Sequence, residues 1–264
     1  AVIGFVLLSV FWVILRVLDV SPDSLNNQIF AAGYGVMALW GGVCGIVISR
    51  KWGGVRSVMG KAITMFALGL LLQEVGQLAY SYYIYYLHIE VPYPSLGDIG
   101  FLGRIPLYIY GIILLGKASG VKMGFRSFTS KLLAIVIPLL ALLIAYRLFL
   151  RGYEFDWSSP LKIFLDFGYP MSEAIYISLA INTYLLSKYV LGGLRRSRIL
   201  FVLFALCIQF LSDYTFLYQA SRGTWYAGGI NDYLYLISYF IMTMGLLQLS
   251  RVWSQLKSDE QHYS

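Results

Sequence analysis

The residues able to do chemistry in this chain lie inside long apolar runs, and they recur at helical spacing. Gln73, Glu74, Gln77 and Ser81 are separated by one, three and four positions, which sets them on one stripe of a helix. Asp166, Tyr169, Glu173 and Tyr176 share a second face, and Gln209, Ser212 and Asp213 a third. Asp98 is followed about two turns later by Arg104 and then Pro106, and Asp232 by Tyr235 and Tyr239. A charged side chain at a bilayer centre costs about 2.5–3.5 kcal/mol on insertion scales, so such residues pair, line water or serve function. If the stripes face one another, they enclose a polar, tyrosine-rich cavity. Arg104 is expected to pair with Glu74, Glu173 or Asp213, and the carboxylates then outnumber the cations. That excess suits a cationic or amine-bearing ligand, a metal ion or a shared proton. The expected ligand-binding set is Glu74, Gln77, Asp98, Arg104, Asp166, Tyr169, Glu173, Asp213, Asp232 and Tyr235. The alternative is that these groups only join helices through interhelical hydrogen bonds, worth about 0.6 kcal/mol each.

Other chemistry is excluded by what the sequence lacks. Only two histidines are present, His88 and His262, and both lie outside the apolar cores, which argues against bis-histidine haem and multi-histidine zinc sites. Cys44 and Cys207 each sit inside an apolar run, where neither pairing nor metal ligation is expected. There is no Gly-x-Ser-x-Gly, no phosphate-binding loop, no redox cysteine pair and no metal-ligand spacing. No cofactor and no catalytic residue is implied. The net charge of +7 comes from basic residues in short loops, without the interleaved aromatics of a nucleic-acid surface, so no nucleic acid is expected as a partner.

The elements that position these residues follow from hydropathy. Of 264 residues 59% are hydrophobic and 12% charged, against roughly 25% charged in a soluble domain. The missing polar surface has to face lipid. Crossing a ~30 Å hydrocarbon core takes about 20 apolar residues. Segments 1–18, 29–49, 62–86, 98–116, 132–150, 163–187, 199–218 and 233–250 meet that rule. The expected fold is all-α: one polytopic bundle of eight transmembrane helices over 1–250, with a short cytoplasmic tail, 251–264. Segment 1–18 is expected to be a retained helix, since it shows neither a basic leader nor a small-residue cleavage site.

Basic residues concentrate in cytoplasmic loops. Arg50, Lys51, Arg56 and Lys61 follow the second segment; Lys117, Lys122, Arg126 and Lys131 the fourth; Lys188, Arg195, Arg196 and Arg198 the sixth; Arg251 and Lys257 the eighth. The alternate loops carry only Arg147, Arg151, Lys162 and Arg222, so both termini are expected in the cytoplasm. Of the thirteen acidic residues only Asp259 and Glu260 then fall on the cytoplasmic side, and the cavity is expected to open outward. Tyr80–Tyr86, Tyr153, Trp157, Trp225 and Tyr226 fit an aromatic belt at the outer interface.

Two segments align without gaps: Asp98 matches Asp232, Phe101 matches Tyr235, Leu102 matches Leu236, Gly111 matches Gly245 and Leu115 matches Leu249. Pro170 falls over Pro106 in a looser third copy. A helical hairpin used more than once is one expectation, with each aspartate near a helix N-terminus, where the dipole favours negative charge.

Three short stretches carry a resemblance: Pro94-Ser95-Leu96-Gly97-Asp98, Tyr169-Pro170, and Ser212-Asp213-Tyr214 through Gly223-Thr224-Trp225-Tyr226 to Asp232. From the third segment onward the chain resembles the polytopic input modules that precede bacterial diguanylate cyclase, phosphodiesterase and histidine kinase domains. The resemblance implies a prokaryotic cell-membrane sensor whose last helix feeds a cytoplasmic output. Ser264 lies about fourteen residues past the eighth segment, so that output is expected on a longer form of the chain or on a partner subunit. Three other classes stay open. A proton- or cation-coupled transporter or channel would use the buried carboxylates, Arg104 and the prolines Pro106, Pro138 and Pro170. A structural subunit of a membrane complex would use them for packing alone. Ser95-Leu96-Gly97-Asp98 resembles the Gly-x-Gly-Asp of intramembrane aspartyl proteases, but Ser95 replaces the first glycine and no Tyr-Asp precedes it on an earlier helix.

Overall fold

Apolar runs of this length satisfy their backbone internally only as helix when lipid surrounds them, and helix is what the computed structural model contains. It describes residues 1–119, 128–190 and 194–262, without the side chains of 128–130, 149, 186–190, 194–198 and 255–262. Helix makes up 82%, with no strand among the described residues. Lys122 and Arg126 of the charge pattern lie outside the described residues, as do the side chains of Lys188, Arg195, Arg196, Arg198, Lys257, Asp259 and Glu260.

The helices are α1 (Val2–Val17), α2 (Leu25–Gly33), α3 (Val36–Lys51), α4 (Val58–Ser81), α5 (Gly97–Ala118), α6 (Phe128–Ala145), α7 (Pro160–Val190), α8 (Leu194–Ser221) and α9 (Ile230–His262). Local chemistry sets several ends. The Ser24 hydroxyl accepts from Asn27 N at 3.3 Å to start α2, and the Ser57 hydroxyl accepts from Gly60 N at 2.9 Å to start α4. α4 and α6 each finish in a π-helical turn, Tyr82–Tyr86 and Tyr146–Leu150. α2 and α3 form one pass, Leu25–Lys51, broken at Tyr34-Gly35.

Six helices are long and apolar enough to cross a membrane: Leu25–Lys51, Val58–Tyr86, Gly97–Ala118, Lys131–Leu148, Ile199–Ser221 and Ile230–Ser254. That makes a helical bundle of the multi-pass membrane type. Each of the eight expected segments coincides with helix, but two fall short of the same measure. α1 is apolar with only sixteen residues. α7 is long, and Asp166, Tyr169, Ser172 and Glu173 dilute its apolar character.

Helices α3, α4, α5, α7, α8 and α9 close a ring, each packed on the next and α9 returning to α3. α1 lies outside against α2 and α9, where Trp12 stacks on Tyr233 (4.3 Å between rings) and its Nε1 donates to Gly228 O at 3.1 Å. α6 lies outside against α7. Small residues let backbones approach, the usual basis of helix association in lipid. A Cβ on Gly100 would stand 2.6 Å from Gly76 N of α4, so α4 and α5 meet backbone to backbone there. One end of the ring is packed with Ile63, Phe66, Leu70, Ile112, Leu115, Val202, Leu206, Leu246 and Leu249, all buried. That end holds a few hydroxyls, such as Thr64 donating to Ser49 at 2.8 Å, while the buried charged residues Glu74, Asp98, Arg104, Glu173, Asp213 and Asp232 lie elsewhere.

Candidate functional site

Arg104 projects from α5 into the ring with 2% of its surface exposed. Its Nη2 lies 2.7 Å from Oδ1 of Asp213 on α8 and 3.3 Å from Oε1 of Glu173 on α7. Helical spacing supplies the support. Gln209, one turn before Asp213, donates from Nε2 to both carboxylate oxygens, at 3.2 and 3.4 Å. On α9 the Tyr235 hydroxyl donates to Asp213 Oδ1 at 2.8 Å, and Ser238 donates to Gln209 Oε1 at 2.8 Å. The Arg104 guanidinium stands over the Tyr108 ring at 5.9 Å, and the Tyr176 hydroxyl donates to Leu206 O at 3.1 Å. Three helices thus meet on one cation, and α9 joins them through Asp213 and Gln209. Burying an unpaired guanidinium would be costly, and the two carboxylates offset that cost. They also leave one negative charge in excess, which a single proton or monovalent cation would neutralise. Arg104 Nε and Nη1, Glu173 Oε2 and Tyr239 Oη are buried without a hydrogen-bond partner among the protein atoms.

Glu74 does not join this cluster. Its carboxylate packs on Gly35 at the α2–α3 break, where any Cβ would overlap Oε2. Nearby, Gln77 Oε1 accepts from the Tyr34 hydroxyl at 2.9 Å, and Gln77 Nε2 donates to Ala31 O at 3.4 Å. The rings of Tyr34, Tyr235 and Tyr239 stack at 5.9–6.4 Å and fill the space between the α4 stripe and the arginine. Arg104 therefore takes two of its three expected partners, Glu173 and Asp213, because bulky phenols separate it from the third.

The remaining candidates form separate groups. Asp98 accepts from Ser95 N (2.6 Å), Ser95 Oγ (3.2 Å) and the Tyr169 hydroxyl (2.6 Å), so it bridges α5 and α7. Asp166 accepts from the Tyr93 and Tyr153 hydroxyls at 2.7 and 2.6 Å near the surface. The hydrogen bond to Asp166 pushes the Tyr153 phenol up to about 12. Asp232 accepts from Gly228 N at 2.7 Å and lines a cleft with Gln77, Tyr80, Ser81, Tyr85 and Trp225. That cleft has a volume of ≈ 10 Å³, about what one water needs. A larger, apolar groove of ≈ 450 Å³ runs along the outer face of α5 beside α7, lined by Asp98, Leu102, Pro106, Ile109 and Ser172 among others. One cavity shared by all the carboxylates is thus replaced by a sealed core of Arg104, Glu173, Asp213 and Tyr235, with three satellites at Asp98–Tyr169, Asp166 and Gln77–Asp232.

The sequence pattern did not single out Tyr34, Tyr108 or Ser238, which complete the core. Nor did it place Arg16, whose guanidinium binds the Tyr226 hydroxyl and Asn27 Oδ1 and stands 5.6 Å from the Trp12 ring. Tyr34 carried one signal, a phenol beside Gly35 in mid-segment. Among the described residues no three His, Cys, Asp or Glu side chains are grouped to hold a metal ion.

The fold and the site define a multi-pass helical membrane protein with a buried ionic core. No protein-family model, curated protein or solved structure matches the chain.

Proposed function

We propose that the chain is an eight-pass sensor module of a prokaryotic cell membrane, with both termini in the cytoplasm, that recognises a small amine-bearing or cationic ligand at its outer carboxylates and relays binding through the Arg104 core to α9. The observation that carries this reading is the meeting of α5, α7 and α8 on one guanidinium, with α9 joined through Tyr235 to Asp213. Two rungs join α5 to α7, Asp98 with Tyr169 and Arg104 with Glu173, and Tyr169 precedes Glu173 by one turn. A ligand drawing on Asp98 would therefore disturb the helix that holds Glu173. α9, which carries Asp232 and Tyr235 in its first two turns, runs for 33 residues from Ile230 to His262, about 50 Å at helical rise, and so projects past a ~30 Å core toward an output domain or partner subunit.

The eight-pass count rests on the alternation of basic residues between loops, which fails if α1 or α7 is not a crossing. Asp98 and Asp232 each accept a backbone N–H from just upstream of their helix, at Ser95 and Gly228, a likeness that favours a repeated hairpin. Sensing is favoured over transport by the apolar packing from Ile63 to Leu249 that fills the cytoplasmic end of the ring. A proton-coupled carrier is the second reading, favoured by the two carboxylates on one guanidinium. Engagement of Asp98 by Ser95 and Tyr169, rather than by another carboxylate, speaks against an aspartyl-protease site.

The test pairs two measurements on purified protein. Ethanolamine and choline should raise the unfolding temperature in detergent, and Asp98→Asn should lose that response. Proteoliposomes should show no proton or sodium flux above protein-free vesicles. Amine-insensitive unfolding together with measurable flux would replace sensing with transport.

A further inference from the structure

Among the described residues the buried carboxyl groups of Asp98, Glu173, Asp213 and Asp232 each receive a hydrogen bond, and Glu74 receives none. Glu74 is 7% exposed, its Oε2 is buried without a partner, and both described salt bridges belong to Arg104. We infer that Glu74 is a proton-binding site, which holds a proton in the folded protein and exchanges it through the cleft beside Asp232. Neither the amine ligand nor the Arg104 relay is needed for this.

A charged carboxylate in apolar surroundings, without donor or counterion, is so costly that the group takes up a proton instead. The elements around Glu74 bring no charge to change that. α2 contains no ionisable residue, and the basic residues of α3, Arg50 and Lys51, stand in its last turn, at the far end from Gly35. On α4 itself the nearest charge is Lys61, about 20 Å away along the helix. The ionic groups of α5, Asp98 and Arg104, are held by Tyr169 and by Glu173 with Asp213. The titratable groups that face Glu74 are two phenols, Tyr34 at the break and Tyr239 on α9, whose hydroxyl is buried and unpartnered. Space is short as well. Oε2 lies so close to Gly35 that any Cβ there would overlap it. No hydration shell fits that contact, so the carboxyl can ionise only if α4 draws away from the α2–α3 break.

A path to solvent follows the same stripe of α4. One turn from Glu74, Gln77 accepts from the Tyr34 hydroxyl at 2.9 Å, and Gln77 and Ser81 line the cleft. Tyr80, Ser81 and Tyr85 in its wall are half-buried, so the cleft reaches the surface. Its ≈ 10 Å³ suit one water, with Asp232, Gln77 and Ser81 as polar partners.

Infrared difference spectra between the parent and Glu74→Gln, on the full chain in nanodiscs at neutral pH, test this. Glutamine matches the neutral acid in size and charge, so the variant should fold and unfold at the parent's temperature. The difference should contain the carbonyl stretch of a protonated carboxyl and no carboxylate band. Transfer to heavy water should shift that stretch. Gln77→Leu and Tyr34→Phe should each slow the shift by about tenfold, the worth of one hydrogen-bonded step. A carboxylate band in the difference, or a protonated-acid band that sodium ions erase at constant pH, overturns the proton site. Failure of Glu74→Gln to fold would contradict a neutral acid in the same way. Equally fast exchange in the parent and both route variants overturns the path through Gln77.

Discussion

Nη2 of Arg104 on α5 lies 2.7 Å from Oδ1 of Asp213 on α8, and the same nitrogen lies 3.3 Å from Glu173 on α7. α5 and α7 are not consecutive in the chain, since α6 lies between them, so no single loop brings Arg104 to its two carboxylates. The guanidinium itself ties the three helices, and α9 joins through Tyr235. A buried charge in such a place is poor glue, because its desolvation offsets most of its attraction. Its strength lies in making the arrangement all-or-none.

Removing the cation should therefore be severe. Arg104→Ala leaves two carboxylates uncompensated, and a loss of about 3–5 kcal/mol is expected. Arg104→Lys keeps the charge but not the planar fork, and should recover only part of the stability. Thermal unfolding in detergent measures both.

At the surface, the Tyr153 phenol is raised to about 12 by its hydrogen bond to Asp166. It ionises later in the folded state than in the unfolded chain, where a phenol titrates near 10. The bond's contribution is thus fully present below about pH 10 and is lost as pH rises toward about 12. Tyr153→Phe should flatten that alkaline decline, and tyrosinate absorbance titration should show one late-ionising phenol fewer. A late phenol persisting unchanged in the variant would rule the bond out.

Gly35 is defined by Glu74 rather than by its own backbone, whose φ of −62° suits any residue. Gly35→Ala drives a methyl into the carboxylate and should cost about 1–3 kcal/mol. Glu74→Ala should relieve most of that penalty, giving a non-additive double-mutant cycle. Additive costs would show that the two do not touch.

How much of this was legible in the sequence depends on what periodicity encodes. It fixes how a helix is rotated about its own axis, so Asp166, Tyr169 and Glu173 do share a face, and Gln209 and Asp213 do interact one turn apart. It does not fix which stripes oppose. Glu74 and Glu173 are equal candidates for Arg104, and the choice falls to the Tyr34 and Tyr239 rings, of which Tyr34 looks like ordinary apolar filling. The break at Tyr34-Gly35 was hidden because both residues keep helical dihedral angles. The outer carboxylates were legible as a group but not as separate sites. Their partners, Ser95, Tyr93, Tyr153 and Gly228, lie in connecting segments without a period.

Relay from the outer carboxylates through Arg104 to α9 is tested most directly by an interhelical distance. Spin labels at Ser254→Cys on α9 and Val55→Cys in the α3–α4 connection report whether α9 moves. In nanodiscs, adding ethanolamine should shift the distance distribution of the parent and leave an Asp213→Asn variant unmoved. An unmoved parent, or an equal shift in both proteins, would contradict a relay through the guanidinium.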